Sequence, residues 1–443
     1  MADRSAARIA HVVHGFLPRH RAGTEQHVHA LARELANRHP VAIFCGEDDP
    51  AGPPESDETC DGLSVRRVRV GPYPGAPLAA RALGRFRNLA AERAFARFLD
   101  GFQPDLVHVH HLFKLSGGLI HLARRRGIPV VVTLHDYWFI CDNAQLLYAG
   151  RAPCPGPAGG WRCARCLSSE LGAGWARRLA PVAAPLYVYR THYLRRALAV
   201  AGAVIAPSAY VRRRLSVAGA RVLPHGIDAG WLAGLKRRPR AGPLRVGYLG
   251  TLAPHKGVHL LVAAFRRLPA GQAELHLHGD GSARPDYLRS LQALAAGAAV
   301  TFHGPYERSG LGLVLGGLDL VVLPSIWPEN APLTIAEAHL ARVPVLAADT
   351  GGLGEAVRNG EDGLLFPAGD VDALEAALRR VLAEPGLVER WRSAIRPPKT
   401  MPQYAAEVEA IYGELLPECS SGATTLGCRA YLPTSCVQLR AML

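Results

Sequence analysis

Lysine is nearly absent. Only four of the 443 residues are lysine (Lys114, Lys236, Lys256 and Lys399), so the net charge of +14 is carried by arginine. The arginines are scattered through helical segments such as "AARALGRFRNLAAERAFARFL" and "RTHYLRRAL" and form no basic tail. No nucleic-acid motif accompanies them, so nucleic acid is not the expected partner. Anionic small substrates and an anionic lipid surface remain compatible with a basic chain. Long apolar runs are missing too. No stretch reaches the roughly 20 residues that span a bilayer, and "MADRSAARIAHVVHGF" holds too short an apolar segment for a signal peptide. The expectation is a cytoplasmic protein, with peripheral contact to the inner face of the cell membrane as an accessory expectation. Short-period repeats are absent as well.

What is present is alternation. Apolar strand patterns and amphipathic helix patterns follow one another from "RIAHVVHGF" and "TEQHVHALARELANR" to "AVIAPSAYVRRRLSVAG". Strand alternating with helix predicts a parallel sheet with right-handed crossovers. "PHGIDAGWLAGLKRRPRAGP" interrupts the rhythm with glycine, proline and charge, and "LRVGYLG" restarts it. A chain this long exceeds one ordinary core. The expected fold class is therefore α/β, with two doubly wound Rossmann-like domains facing across a cleft. The expected boundaries are an N-terminal domain over 1–223, a linker over 224–243 and a second domain over 244–396. A C-terminal helix over 397–416 should pack back on the first domain, and 417–443 should form an irregular tail.

The stretch "SIWPENAPLTIAEAHLARVPVLA" places Glu329 beside Pro328 and Pro332, and Glu337 eight residues later. Proline is tolerated at a helix start and not inside, so a helix should begin about Leu333 and leave Glu329 in the preceding loop. Glu337 then sits among Ile335, Ala336 and Ala338, where an unpartnered carboxylate is costly. Ribose hydroxyls would satisfy it. The backbone N–H groups about Ala331, Pro332, Leu333 and Thr334 would suit a pyrophosphate, Pro332 itself lacking a donor. "VGYLGTLAPHKGVHLL" offers Lys256 as a point charge for a departing diphosphate. "HRAGTEQHV" turns into a helix at Gly23, and "VVVTLHDYWFI" ends a strand in His135 and Asp136. His108, His110 and His111 end another strand. A metal site from His110, His135 and Asp136 is conceivable on residue type alone. "LHGDG" and "GGLGE" suit tight turns, either over a nucleotide or simply between strand and helix.

Together these motifs resemble the retaining glycosyltransferases usually called GT4, of the GT-B fold group, over almost the whole chain to about Leu416. The family hallmark is a glutamate, seven residues and a second glutamate, here Glu329 and Glu337 followed by "ARVPVLA". The resemblance implies that Glu329 binds hydroxyls of the donor sugar and that Glu337 binds the ribose, with Asn330 in the same nucleotide-sugar site. It places His135 next to the reacting sugar and Gly23 close to phosphates and acceptor. The implied partners are a nucleotide-sugar donor (UDP- or GDP-sugar) and a saccharide or lipid-linked acceptor, with no catalytic metal. Two positions depart from the family pattern: Thr251 stands where an arginine is common, and Ala22 replaces the first of two glycines. The rivals are a sugar-phosphate epimerase or phosphorylase on the same architecture, or a catalytically silent sugar-nucleotide or nucleic-acid binding protein.

Cysteine is informative in one place. Cys141, Cys154, Cys163 and Cys166 lie in "CDNAQLLYAGRAPCPGPAGGWRCARC", a glycine- and proline-rich insertion ending in C-x₂-C. In a cytosolic chain this favours a structural zinc over disulfides, with unlinked thiols in a flexible loop as the alternative.

Overall fold

The structure is a computed structural model that describes residues 6–49, 51–71, 83–84, 86–149, 152–170, 178, 180–239 and 242–416. Strands β1 (Ile9–Val13), β2 (Val41–Glu47), β3 (Glu55–Cys60), β4 (Leu63–Arg69), β5 (Leu106–Val109) and β6 (Val130–Thr133) are followed by a small hairpin, β7 (Leu147–Tyr148) and β8 (Ala152–Pro153). β9 (Ala203–Ala206) and β10 (Arg221–Val222) complete the first sheet, whose order is β10-β9-β6-β5-β1-β2-β4-β3. All its neighbours are parallel except β3, which returns antiparallel along β4. The second sheet is wholly parallel: β13-β12-β11-β14-β15-β16, from β11 (Leu244–Leu249), β12 (Ala273–His278), β13 (Val300–Gly304), β14 (Leu320–Leu323), β15 (Val345–Ala348) and β16 (Gly363–Phe366).

Parallel strands covered by helices on both faces read as continuous apolar runs. β6 ("VVVT"), β14 ("LVVL") and β15 ("VLAA") do so and are fully buried. β1 and β5 break the rule with His11 and His108, which are register partners and completely buried. The helix Met401–Leu415 belongs physically to the first sheet. Tyr404, Ala405, Val408, Ile411 and Tyr412 pack with Ile9, Leu31, Leu106, Val131 and Ile205 in one core cluster. A capping box between Thr400 and Gln403 starts this helix. The expected irregular tail over 417–443 lies outside the described residues. No described helix is long and apolar enough to cross a membrane.

The carboxyl ends of both sheets face each other, which is where α/β sheets bind ligands. Hydrogen bonds cross between the halves: Tyr137 Oη donates to Pro328 O at 2.5 Å, Asn330 Nδ2 to His135 O at 2.6 Å, and Ser208 Oγ to Asn330 O at 2.8 Å. Arg21 pairs with Glu307 across the same gap at 3.3 Å.

Candidate active site

A cleft of about 650 Å³ lies between the sheets, and its lining includes Gly23, His135, Lys256, Glu329, Asn330 and Glu337. The helix Leu333–Leu340 begins directly after Pro332, whose φ of −70° suits a helix entry. Its amino end, with Ala331 to Thr334, also lines the cleft. All the residues expected at a sugar-nucleotide site therefore share one cavity.

Glu329 is positioned by glycine. Gly351 has φ +60°, and a Cβ there would stand 2.4 Å from Glu329 O; at Gly352 a Cβ would stand 2.1 Å from Asn330 O. Gly352 N donates to Glu329 O at 2.6 Å. So "GGLGE" packs directly against the Glu329–Asn330 backbone and fixes its course. "LHGDG" likewise packs on the Gly250 turn, since a Cβ at Gly279 would meet Gly250 O at 1.7 Å. Gly23 is different: a Cβ there would meet only Leu333 Cδ1, at 3.5 Å, which is ordinary contact.

The charges are paired. Lys256 Nζ donates to Glu329 Oε1 at 2.6 Å and lies 4.9 Å from the Trp327 ring centre. Lys256 ends a 3₁₀ turn, Pro254–Lys256, just before the helix Val258–Phe265. Glu337 is buried, and its Oε1 accepts from Arg308 Nη1 at 2.6 Å. Arg308 Nη2 also reaches Asp228 O at 3.4 Å in the segment joining the two halves. The sequence reading missed Arg308, because an arginine in "GPYERSGLG" carries no motif that separates it from the many others. It missed the neighbouring His255 as well, whose ring is lowered to about 4 by burial and by Lys256.

Histidines dominate the wall from the first half. His110 and His135 are hydrogen-bonded to each other at 3.1 Å, whereas Asp136 is engaged by His111. The conceivable His110–His135–Asp136 metal site is therefore not assembled. His14 Nε2 lies 3.0 Å from Glu25 Oε1, and His14 Nδ1 lies 2.7 Å from His111 Nδ1. Two facing ring nitrogens need a proton between them, while the outer nitrogens face carboxylates that only accept when ionised.

The thiols of Cys141, Cys154, Cys163 and Cys166 share a neighbourhood built from the β7–β8 hairpin and the helix Trp161–Glu170. Cys163 has the other three as neighbours, and burial pushes its thiol up to about 12. Backbone N–H groups aim at two of the sulfurs: Ala149 N donates to Cys166 Sγ at 3.1 Å, and those of Leu146 and Asn143 hold the Cys141 thiol down against the larger upward effect of burial. Among the described residues, however, the metal-type groups whose ligand atoms fall within 4.8 Å of one another are His11–His108–His110 and His29–Cys60–Asp61, not these cysteines.

Residues 236–397 match the family described as glycosyl transferases group 1, and residues 21–231 match glycosyltransferase family 4. A glycogen synthase of Mycobacterium tuberculosis (strain CDC 1551 / Oshkosh) is 28% identical over 395 residues, covering 84% of this chain and 86% of the relative. A D-inositol 3-phosphate glycosyltransferase of Rhodococcus erythropolis is 30% identical over 377 residues, covering 82% of this chain and 79% of the relative. The solved structure of a sucrose-phosphate synthase from Thermosynechococcus elongatus superposes with a TM-score of 0.65 at 23% identity, over 92% of this chain and 99% of that one. The architecture is that of the GT-B fold, two parallel-sheet domains about a cleft.

Proposed function

The chain belongs to the glycosyl transferases group 1 family, and on that premise we propose that it moves a sugar from a UDP- or GDP-sugar to an acceptor hydroxyl with retention of configuration. The observation that carries this reading is the arrangement of Lys256, Glu329, Arg308 and Glu337 about the amino end of the helix Leu333–Leu340 in one cleft. The nucleotide occupies the second domain. Glu337 takes the ribose, with Oε1 held by Arg308 and Oε2 left to accept from the hydroxyls. The diphosphate meets the helix start, where free N–H groups and the macrodipole favour an anion.

Bond cleavage transfers negative charge to the diphosphate, and Lys256 is placed to neutralise it as it develops. Glu329, now freed from part of its pairing, accepts from donor-sugar hydroxyls, and His135 stands on the opposite wall. Among the described residues, the cleft carboxylates other than Glu329 and Glu337 are Glu25 and Asp136, which are engaged by His14 and His111, so same-face attack by the acceptor, rather than a carboxylate nucleophile as in a retaining glycosidase, is the route proposed. The cross-cleft bonds of Tyr137, Asn330 and Ser208 would exclude water during transfer. The acceptor, a saccharide or lipid-linked sugar, sits on the first domain, and the chemistry uses no catalytic metal. In the cysteine insertion, the N–H donors aimed at sulfur suit thiolates, and we propose a structural zinc there.

Thermal-shift screening against nucleoside diphosphates and their sugars tests the reading, since bound ligand raises the melting temperature by mass action. Stabilisation by one nucleotide, and an α-to-α product with its cognate sugar by NMR, is the expected result. An inverted product would overturn retention, and no nucleotide effect at millimolar concentration would overturn the donor assignment.

A further inference from the structure

A chain of hydrogen-bonded imidazoles runs from the sheet core to the cleft. His11 Nδ1 lies 2.9 Å from His110 Nε2, and His110 Nδ1 lies 3.1 Å from His135 Nε2. His11 and His110 are buried, and His135 lines the cleft. The far nitrogen of His11, Nε2, is buried with no hydrogen-bond partner among the described residues. Burial lowers all three rings, to about 3 for His11 and well below the ordinary range for His110 and His135, so each is neutral and carries one N–H.

Three neutral rings joined by two contacts allow two arrangements. In one, His135 donates inward to His110, His110 donates to His11, and the leftover N–H is stranded on His11 Nε2 in the dry core. In the other, His11 donates from Nδ1, His110 donates from Nδ1 to His135 Nε2, and the leftover N–H is on His135 Nδ1 at the cleft. The first leaves an orphaned buried donor, the defect folded proteins most rarely tolerate; the second leaves only a bare lone pair. We propose that His11 and His110 are positioning residues that fix His135 as its Nδ1–H tautomer, so that the cleft receives a hydrogen-bond donor aimed at a ligand oxygen. Its use in catalysis rests on the glycosyltransferase reading, whereas the tautomer does not.

A metal held by His11, His108 and His110 is the competing explanation of the same cluster, whose ligand atoms lie within 4.8 Å of one another. His108 argues against it. Its Nδ1 is bonded to Tyr412 Oη at 2.6 Å and its Nε2 to Thr133 Oγ1 at 2.7 Å. The remaining rings serve each other, and no carboxylate in this cluster offsets a divalent charge in an otherwise apolar core.

Long-range ¹H–¹⁵N correlation spectra of the ligand-free full chain, with ¹⁵N-labelled histidine, read the tautomer directly; His135→Gln assigns the signal. The expected result is a neutral His135 protonated at Nδ1. In His110→Phe the ring loses its donor and should shift toward the Nε2–H form, and its titration should rise toward that of ordinary histidine. His110→Asn keeps a donor amide near the Nδ1 position and should retain the native tautomer. With the cognate donor, His110→Phe should raise KM about tenfold, the scale of one hydrogen bond, while His110→Asn stays within about twofold. An Nε2–H His135 in the unaltered protein overturns the proposal, as does an unchanged tautomer in folded His110→Phe. Should His110→Phe not fold, the native spectrum and His110→Asn still decide it. Release of a stoichiometric metal by chelators with loss of these His signals would favour the competing site. A confirmed tautomer without any glycosyl transfer would leave the relay standing and remove its proposed use.

Discussion

Lys256 and Glu329 meet at 2.6 Å in the cleft, so the cation we propose for a leaving diphosphate and the carboxylate we propose for a sugar form one ion pair. If Lys256 neutralises charge that develops in the transition state, Lys256→Ala should lower turnover by about 10²-fold or more, the scale of losing an oxyanion donor. Glu329→Ala should also lower turnover. Because the two groups are in contact, the double variant should cost far less than the product of the single losses. Steady-state kinetics of the four proteins check this; independent, multiplicative losses would show that the pair does not act as a unit.

Glu337 differs in kind, since its partner is Arg308 and its environment is the apolar flank of a helix. Glu337→Ala should weaken binding of the bare nucleoside diphosphate by roughly 1.5–3 kcal/mol, the range for charged hydrogen bonds. Glu329→Ala should leave that affinity nearly unchanged while impairing use of the sugar nucleotide. Arg308→Met should weaken nucleotide binding by a smaller factor, by leaving the ribose carboxylate unoriented. Calorimetry measures all three, and equal affinities across the set would reject this division of labour.

The alternation of "VVVT" and "LVVL" strands with amphipathic helices made the two-sheet architecture legible, because parallel strands buried on both faces have no polar option. The Glu329–Glu337 spacing was legible for a similar reason: proline fixes where the helix starts, and a carboxylate among alanine and isoleucine demands a partner. Arg308 was not legible. It comes to Glu337 through tertiary packing of the 3₁₀ turn Arg308–Gly310, 29 residues away in sequence, and in a chain with so many arginines no local signal marks it. The histidine networks were hidden for the same reason, as His11 joins His110 only through the β1–β5 register.

The buried imidazoles make stability pH-dependent. His11 is lowered to about 3 and His225 to about 4, while His27, His108, His110 and His135 lie well below 6.5, in each case chiefly through burial. In the unfolded chain these rings take up protons near pH 6.5, whereas in the folded chain they do not. The unfolded state therefore binds more protons below that pH, and stability, complete above about 6.5, is lost as pH falls. Each ring contributes a slope of up to about 1.4 kcal/mol per pH unit, and a typical domain has only about 5–15 kcal/mol in total. Thermal melts from pH 8 to pH 4.5 should show a plateau and then a steep fall beginning near 6.5. A melting temperature constant from pH 6.5 to 5 would mean that these rings are protonated in the folded protein.

The cysteine insertion gives the last prediction. A tetrahedral zinc with Zn–S distances of about 2.3 Å sets its sulfurs about 3.8 Å apart. Cys163 has Cys141, Cys154 and Cys166 as neighbours, but the four sulfurs do not lie within 4.8 Å of one another, so binding must draw them inward. The segment has reason to yield. Ala144, Leu146, Ala149 and Ala158 all have positive φ, a conformation that costs non-glycine residues energy and persists only where something over-determines it. Thiolate ligation by four cysteines would do so, and the N–H groups aimed at Cys141 and Cys166 would stabilise their anionic form. Protein purified without metal-chelating resin should hold one zinc per chain by elemental analysis, with the four thiols protected from alkylation. Cys163→Ser with Cys166→Ser should abolish the metal and lower acceptor use more than nucleotide binding, because this loop follows the strand that carries His135. Well under one zinc per chain, with all four thiols reacting freely in the folded protein, would reject the site.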